Sequence, residues 1–395
     1  LEIDLSHIKR FAFIGMFLTL GTLSAASSSA DLSHLSRGIN LWEWFTVNGS
    51  DRAANRAVRR GKIGANDIEN IRRAGFNNVR IGITPYSLLP APLPASPAQF
   101  DTCATLHDDE FVADLEDAIS AFKRAGIAVV VNARFEGPAK DRLRTDREFA
   151  VGCLGRFWAA LALDLAGKFG PRDVYFDLIN EPDIITSIPN DPQKWQKSAD
   201  IWGGIQSEWI AEIRHHVSSD YVLILSSDGW GTSFGVPYMR KPAGPNLVMS
   251  FHYYASEVFT HQGQVWYNPL LGQISNLAYP PSAESCKSNM TKVDRSLNEG
   301  WYENLVKYCA NKLNIAEDLA QVRNWSAANG DFPVWVGEFG ALAGAPPDSR
   351  IRWYKDVLSA FKKDAFVGHA LVDYFDRIAC DRMKDQSCVF VSDEK

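Results

Sequence analysis

The chain alternates short apolar runs with longer stretches in which apolar residues recur every three or four positions. Eight runs read as strands: 38–43, 77–83, 127–133, 174–180, 221–227, 247–253, 333–339 and 369–375. They are rich in β-branched and aromatic residues and mostly apolar on both faces, as the strands of a parallel sheet covered by helices must be. Between them the period is helical. Phe111, Leu115, Ile119 and Phe122 follow Asp108 at that spacing, and Ile351, Tyr354, Leu358 and Phe361 follow Pro347 and Asp348. Eight strands alternating with helices predict an α/β fold, a single-domain (β/α)8 TIM barrel. An open doubly wound sheet has the same alternation, but no Gly-rich phosphate loop follows any of the early strands.

The connections are unequal. Those leaving strand ends are long, at 84–108 and 254–300, whereas those entering strands, as before Asn77 and Ala128, are short. In a barrel the long side is the catalytic side. The second long stretch carries Trp266, Tyr267, Tyr279, Pro280, Pro281 and Cys286, and reads either as a cleft wall pinned by a disulfide or as a plain surface excursion.

Two glutamates stand where apolar runs stop: Glu181 in DLINEPD and Glu338 in VWVGEFG. They are 338 − 181 = 157 positions apart, so only a fold that gathers strand ends at one rim brings them together. Carboxylates so delivered can divide acid and nucleophile roles at a glycosidic bond, the ionised one attacking from about 5–5.5 Å when configuration is retained. Asn180 offers an amide to a sugar hydroxyl. Arg80, near the end of the second run, is expected to point inward and hold the second carboxylate ionised, since an adjacent cation lowers a carboxyl pKa. Tyr254 could donate to that carboxylate, and His252 could contact the acid or the sugar. Each has a plainer reading alone: a helix cap, a barrel ion pair, a packing ring, a structural imidazole. Together they fall at the carboxyl ends of successive strands.

Composition narrows the partners. With 395 residues, 46% hydrophobic and 12% aromatic, the chain suits one large barrel or two ordinary domains, and no linker, repeat or low-complexity tract marks a second module. A net charge of −6 leaves no basic footprint for nucleic acid. Lys9 and Arg10 precede the apolar run FAFIGMFLTLGTL, and Ser28, Ser29 and Ala30 precede Asp31, so 1–30 read as an export signal and 31–395 as a catalytic domain with its barrel at about 38–376. The apolar run is shorter than the roughly 20 residues needed to span a bilayer. A retained anchor is the alternative reading, and no later segment reads as transmembrane. The expected product is a secreted or periplasmic monomer without membrane attachment. Six cysteines (Cys103, Cys153, Cys286, Cys309, Cys380, Cys388) are an even number suited to disulfides after export; their pairing stays open, with Cys380 to Cys388 favoured by proximity. None has the CxxC spacing of a metal or redox site. Asn48, Asn289 and Asn324 each stand in an N-x-S/T sequon.

From about 38 to 376 the chain resembles glycoside hydrolase family five, the cellulase family, in the clan of retaining glycosidases designated clan A. RGINLWEWF resembles the family's first strand, IRRAGFNNVRIGI the second, FDLINEP the fourth, SFHYY the sixth and VWVGEFG the seventh. The resemblance implies that Glu181 is the acid/base, Glu338 the nucleophile, and Arg80, Asn180, His252 and Tyr254 their supporting shell. The sequence departs from the family's pattern in two places. Asn132, Ala133 and Arg134 replace an Asp-x-His that usually ends the third strand, and Val372 aligns with a tryptophan that usually floors the cleaved sugar, unless Tyr374 or Phe375 supplies that ring. The tail after Asp376 is short and holds two cysteines, where the family has an eighth helix.

Substrate class then rests on aromatic faces, on which sugar rings stack. Trp42, Trp44 and Phe45 sit at the first strand end, Tyr86 lies in the second loop and Trp230 follows the fifth strand; Trp44 and Trp230 are the foremost platforms. Platforms on several loops suit an extended β-linked polysaccharide or oligosaccharide, and hence an endo-β-1,4-glucanase. Arg134 either contacts an acidic or substituted glycan or pairs within the loop holding Asp141, Asp146 and Glu148. Two carboxylates suffice for the chemistry, so no metal and no cofactor are expected. A β-mannanase, a β-1,3-glucanase or a transglycosylase on the same scaffold, or a non-catalytic glycan-binding barrel, are the alternatives.

Overall fold

The computed structural model describes residues 30–41, 44–46, 52–84, 109–135, 138–186, 191–265, 267–310, 314–364 and 366–372. Residues 1–29 of the expected signal, Trp42, Asn48, Tyr86, Cys103, Trp266, Tyr374, Phe375, Cys380 and Cys388 lie outside them. Eight parallel strands close into a barrel in chain order. They are β1 (Arg37–Asn40), β2 (Asn78–Ile83), β3 (Ala128–Ala133), β4 (Val174–Asp177), β5 (Leu223–Ser226), β6 (Leu247–Tyr253), β7 (Val334–Phe339) and β8 (Gly368–Leu371). The ladder is shorter than the apolar runs at β1, β4 and β5. At β4, Leu178 still donates its N–H to the Ile224 carbonyl and Asn180 donates to that of Ala133, so the chain follows its neighbours while leaving the regular pairing.

Side-chain alternation sorts each strand into an outer set, packed on helices, and an inner set that fills the barrel. Inward at the bottom lie Leu35, Val130, Tyr175, Val222, Ile224, Val248, Trp335 and Ala370, a dry apolar layer. The turn Ser33–Leu35 stoppers it: the Trp335 indole donates to the Leu35 carbonyl at 3.0 Å, and the Tyr175 hydroxyl to the Asp31 carbonyl at 3.2 Å. Two residues further along, the same inward positions become polar. Asn132 follows Val130, Asp177 follows Tyr175, Ser226 follows Ile224 and Ser250 follows Val248, all of them buried. The switch from an apolar to a polar layer marks the mouth of the barrel.

The helical face expected from Phe111, Leu115, Ile119 and Phe122 is found intact in the helix Asp109–Arg124, where all four are fully buried. The last helix among the described residues, Pro347–Lys363, differs. It buries Arg350, Trp353, Val357 and Phe361, and leaves Leu358 37% exposed, so its inward stripe is shifted from the expected Ile351, Tyr354 and Leu358. Trp353 sets the rotation, because its large ring reaches Tyr253 and Phe339 on the outside of β6 and β7. Among the described residues one stretch, Glu148–Ala166, is long and apolar enough to cross a membrane, but it is a core helix, 61% buried and packed on the helix Pro192–His216. The long 254–300 segment holds Cys286, bonded to Cys309 across a separation of 23 residues, so the disulfide joins the helices Ala283–Met290 and Glu299–Ala310.

Candidate active site

Arg80 is the hub of the polar mouth. From β2 it points into the barrel, 2% exposed, and spends its guanidinium on four side chains. Nε donates to Asp177 at 2.7 Å, Nη1 to Asn40 at 3.0 Å and to Glu338 at 2.6 Å, and Nη2 to the Asn180 carbonyl oxygen at 3.0 Å. Asn40 in turn ties the barrel closed, donating to the Gly337 and Leu371 carbonyls at 3.1 and 3.2 Å. Because the Asn180 oxygen is committed to Arg80, its amide NH2 is the end left for a ligand.

Glu338 is 5% exposed and bound at both oxygens: Oε1 by Arg80, and Oε2 by the Tyr254 hydroxyl at 2.7 Å. Burial works against its charge, yet the positive charges of His252 and Arg80 outweigh it and hold the carboxyl below its ordinary range. The Tyr254 phenol is pushed the other way, well above its ordinary value, by burial and by the two glutamates, so it stays a donor.

Glu181 faces it with a different partner. Its Oε1 lies 2.9 Å from His252 Nδ1, which is itself 3.7 Å from Glu338 Oε2. The side chain is 28% exposed and so reaches the cleft. Burial opposes its charge, but the hydrogen bond and charge of His252, with Lys140 and Arg134 beyond, hold the carboxyl at about 2.

Backbone strain aims both sides of this pair. Glu181 has φ 48° and Trp230 has φ 60°, a left-handed conformation that costs a non-glycine residue on the order of 1 kcal/mol. The Trp230 N–H bonds the Pro182 carbonyl at 2.7 Å, and His252 N–H bonds the Gly231 carbonyl at 2.6 Å, so the β4, β5 and β6 ends lock one another. Glu338 needs a different device. Trp335 faces inward and Val336 outward, so strict alternation would send Glu338 outward. The ladders shift register between Phe251 and His252 on one side and between Val336 and Phe339 on the other, and the slip turns Glu338 in. It occurs at Gly337, where a Cβ would lie 2.6 Å from Ser250 Oγ and 3.2 Å from His252 Nε2.

The structure therefore gathers Glu181, Glu338, Arg80, Asn180, His252 and Tyr254 at one mouth. Trp230 stands half-buried beside them. Trp44 does not join them: it is 4% exposed, its indole N–H donates to the Arg59 carbonyl at 2.6 Å, and its ring packs on Phe45 and Phe122. It is a core residue, and Phe45, 1% exposed, is another. Arg134 is half-buried at the end of β3, near enough to lower both glutamates. In the loop that follows, Asp141 pairs with Arg144, Asp146 with Arg142 and Glu148 with Arg156. Val372 follows β8 directly, hydrogen-bonded to the Phe339 carbonyl, so an isopropyl group stands at that point of the rim. Sequence reasoning missed Asn40 and Asp177. The signal was present, since each is a polar residue at an inward position of an apolar run.

Glu181, His252 and Glu338 offer ligand atoms within 4.8 Å of one another, a spacing at which a cation could sit. Arg80 makes this a poor cation site: its guanidinium already lies 2.6 Å from Glu338, and Tyr254 fills the other oxygen. The arrangement instead matches paired-carboxyl chemistry, in which a short separation of about 5–5.5 Å goes with a covalent route and about 6.5–9.5 Å with direct attack by water. Residues 42–370 match the model of the cellulase family, glycosyl hydrolase family 5. The chain belongs to that family. It is a glycoside hydrolase. Among characterised relatives, endoglucanase C of Acetivibrio thermocellus is 21% identical over 326 residues, covering 78% of this chain and 82% of the relative. Cellodextrinase A of Ruminococcus flavefaciens is 21% identical over 337 residues, covering 83% and 82%. The endoglucanase Cel5A of Thermotoga maritima superposes with TM-score 0.61 at 22% identity, covering 86% of this chain and 90% of its own, and has been solved with cellobiose and with mannotriose.

Proposed function

We propose that this family 5 enzyme is an exported, retaining endo-β-1,4-glucanase in which Glu338 is the nucleophile and Glu181 the acid/base. The observation that carries the assignment is the asymmetry of their partners. Glu338 is buried and held at both oxygens by a permanent cation and a phenol, which keep it ionised, whereas Glu181 is 28% exposed to the cleft and meets a single imidazole, that of His252. Glu338 attacks the anomeric carbon as Glu181 protonates the departing oxygen, giving a glycosyl ester on Glu338 and a free chain end. Glu181, now a carboxylate, then takes a proton from water, whose oxygen displaces Glu338 with a second inversion. The Asn180 amide is placed to bond a hydroxyl of the cleaved sugar, a contact that tightens as the ring gains positive charge. Relatives named endoglucanase and cellodextrinase support a β-1,4-glucan, and the half-buried Trp230 beside the glutamates suits a stacked sugar. Export is supported by Lys9 and Arg10 ahead of the apolar run and by the small residues before Asp31. The mannotriose complex of the Thermotoga maritima enzyme favours mannan as the second reading.

The test is product analysis on soluble β-1,4-glucan, mixed-linkage glucan, β-1,3-glucan and mannan, with Glu338→Gln alongside. Mixed-length oligosaccharides from the β-1,4-linked glucans, absent with the variant, are expected. Release from mannan alone would move the substrate, and turnover by Glu338→Gln would move the nucleophile.

A further inference from the structure

Asp228, just past β5, is a fully buried carboxylate that the double displacement does not use. Its two oxygens close on the loop that leaves Glu181. Oδ1 accepts the Ile184 N–H at 2.9 Å, and Oδ2 accepts the Ile185 N–H at 3.3 Å together with the hydroxyl of Ser198 on the helix Pro192–His216. Burial pushes this carboxyl up, against the pull of those donors and of the Gly229 N–H, so the charge is held at a cost. Two N–H groups on separate oxygens call for a carboxylate, because an amide carries one oxygen.

The chain beyond Asp228 turns straight onto the site. Gly229, Trp230 and Gly231 are all left-handed, with φ 73°, 60° and 66°. A Cβ at Gly229 would lie 2.6 Å from the Trp195 ring, and one at Gly231 would lie 3.8 Å from Glu181 Cγ and 3.7 Å from His252 Cγ. The turn is therefore seated on Trp195 and passes directly against Glu181. With the Trp230 N–H on the Pro182 carbonyl, the β5 turn grips the loop at 182, 184 and 185, immediately behind Glu181. Glu181 itself sits at φ 48°, a conformation that persists only where its surroundings impose it.

We propose that Asp228 is a positioning residue for Glu181, clamping the loop behind it so that the carboxyl stays aimed at the departing oxygen. The inference rests on the acid/base role given to Glu181 above and adds the residue that enforces it.

The experiment measures kcat/KM on dinitrophenyl, nitrophenyl and phenyl cellobioside for the native chain, Asp228→Asn and Glu181→Gln. The sugar is the same throughout, so weaker sugar binding or less folded protein lowers all three rates in parallel. A displaced acid instead harms the poor leaving groups, which need a proton. A misplacement of about 1 Å costs about 10²-fold. Asp228→Asn is expected to keep the dinitrophenyl rate within about 2-fold and to lower the phenyl rate by about 10- to 100-fold, the same direction as Glu181→Gln. If Asp228→Asn does not fold, Ser198→Ala is read in its place, with a selective loss of about 2- to 10-fold on the phenyl substrate expected. Parallel losses or unchanged rates in the variant that folds, beside a selective loss in Glu181→Gln, overturn the role of Asp228 and leave the acid assignment standing. A Glu181→Gln without selectivity, or a native chain that cleaves none of the cellobiosides, overturns both.

Discussion

Tyr254→Phe removes one hydroxyl and leaves the ring, and its effect can be worked from the contacts of Glu338. Oε2 loses the donor at 2.7 Å, while Oε1 keeps Arg80 at 2.6 Å. A hydrogen bond to a charged group is worth about 1.5–3 kcal/mol, and one pKa unit corresponds to about 1.4 kcal/mol. The bond favours the ionised carboxyl, so its loss raises the Glu338 pKa by about 1–2 units. The nucleophile must be ionised to attack, and activity therefore fails as pH falls through that value. The acidic limb of kcat/KM should move up by about 1–2 pH units in the variant, since this profile reports the free enzyme. An aryl cellobioside with a good leaving group is the right substrate, because it needs little protonation and keeps Glu181 out of the acidic limb. An acidic limb that does not move would show that Tyr254 does not hold Glu338 ionised, and that Arg80 does so alone.

The remaining expectations separate roles that the fold places side by side. Glu181→Gln should spare the first step on activated aryl glycosides and lose most activity on polymer; equal losses on both would sink the acid assignment. Trp44→Ala should cost about 3–5 kcal/mol of stability with little change in KM, whereas Trp230→Ala should raise KM several-fold with little change in melting, and the reverse pattern would return Trp44 to the cleft. His369, packed against Phe339 and Phe361, is held by burial at about 4, below its ordinary 6.5. Its folded value is depressed, so the unfolded chain binds the extra proton between these values. Stability is complete above about 6.5 and falls as pH drops towards 4. His369→Gln should flatten melting temperature across that window, and an unflattened curve would place the acid sensitivity elsewhere.

What the sequence determined by itself is the scaffold and the pair of glutamates it offers at the strand ends. Eight apolar runs separated by helical periods specify a parallel barrel because each strand must be covered on the outside and filled within. Glutamates at the ends of the fourth and seventh runs specify a carboxylate pair at its mouth. The helix after Asp108 was legible because one apolar stripe at a 3.6-residue period has only one way to face the core. The last helix offers two overlapping stripes, and only contact with Tyr253 and Phe339 selects the one containing Trp353. Trp44 is a similar case, since an indole reads the same in sequence whether it lies under Phe122 or over a sugar. The inward turn of Glu338 was decided wholly by tertiary structure. Strand alternation points it away from the cleft, and the slip at Gly337 depends on Ser250 and His252 from the neighbouring strand, with no local signal beyond a glycine. Local periodicity fixes which residues can face inward, but register between strands is a contact between distant segments, and it is register that brings Glu338 within reach of Arg80, Tyr254 and His252.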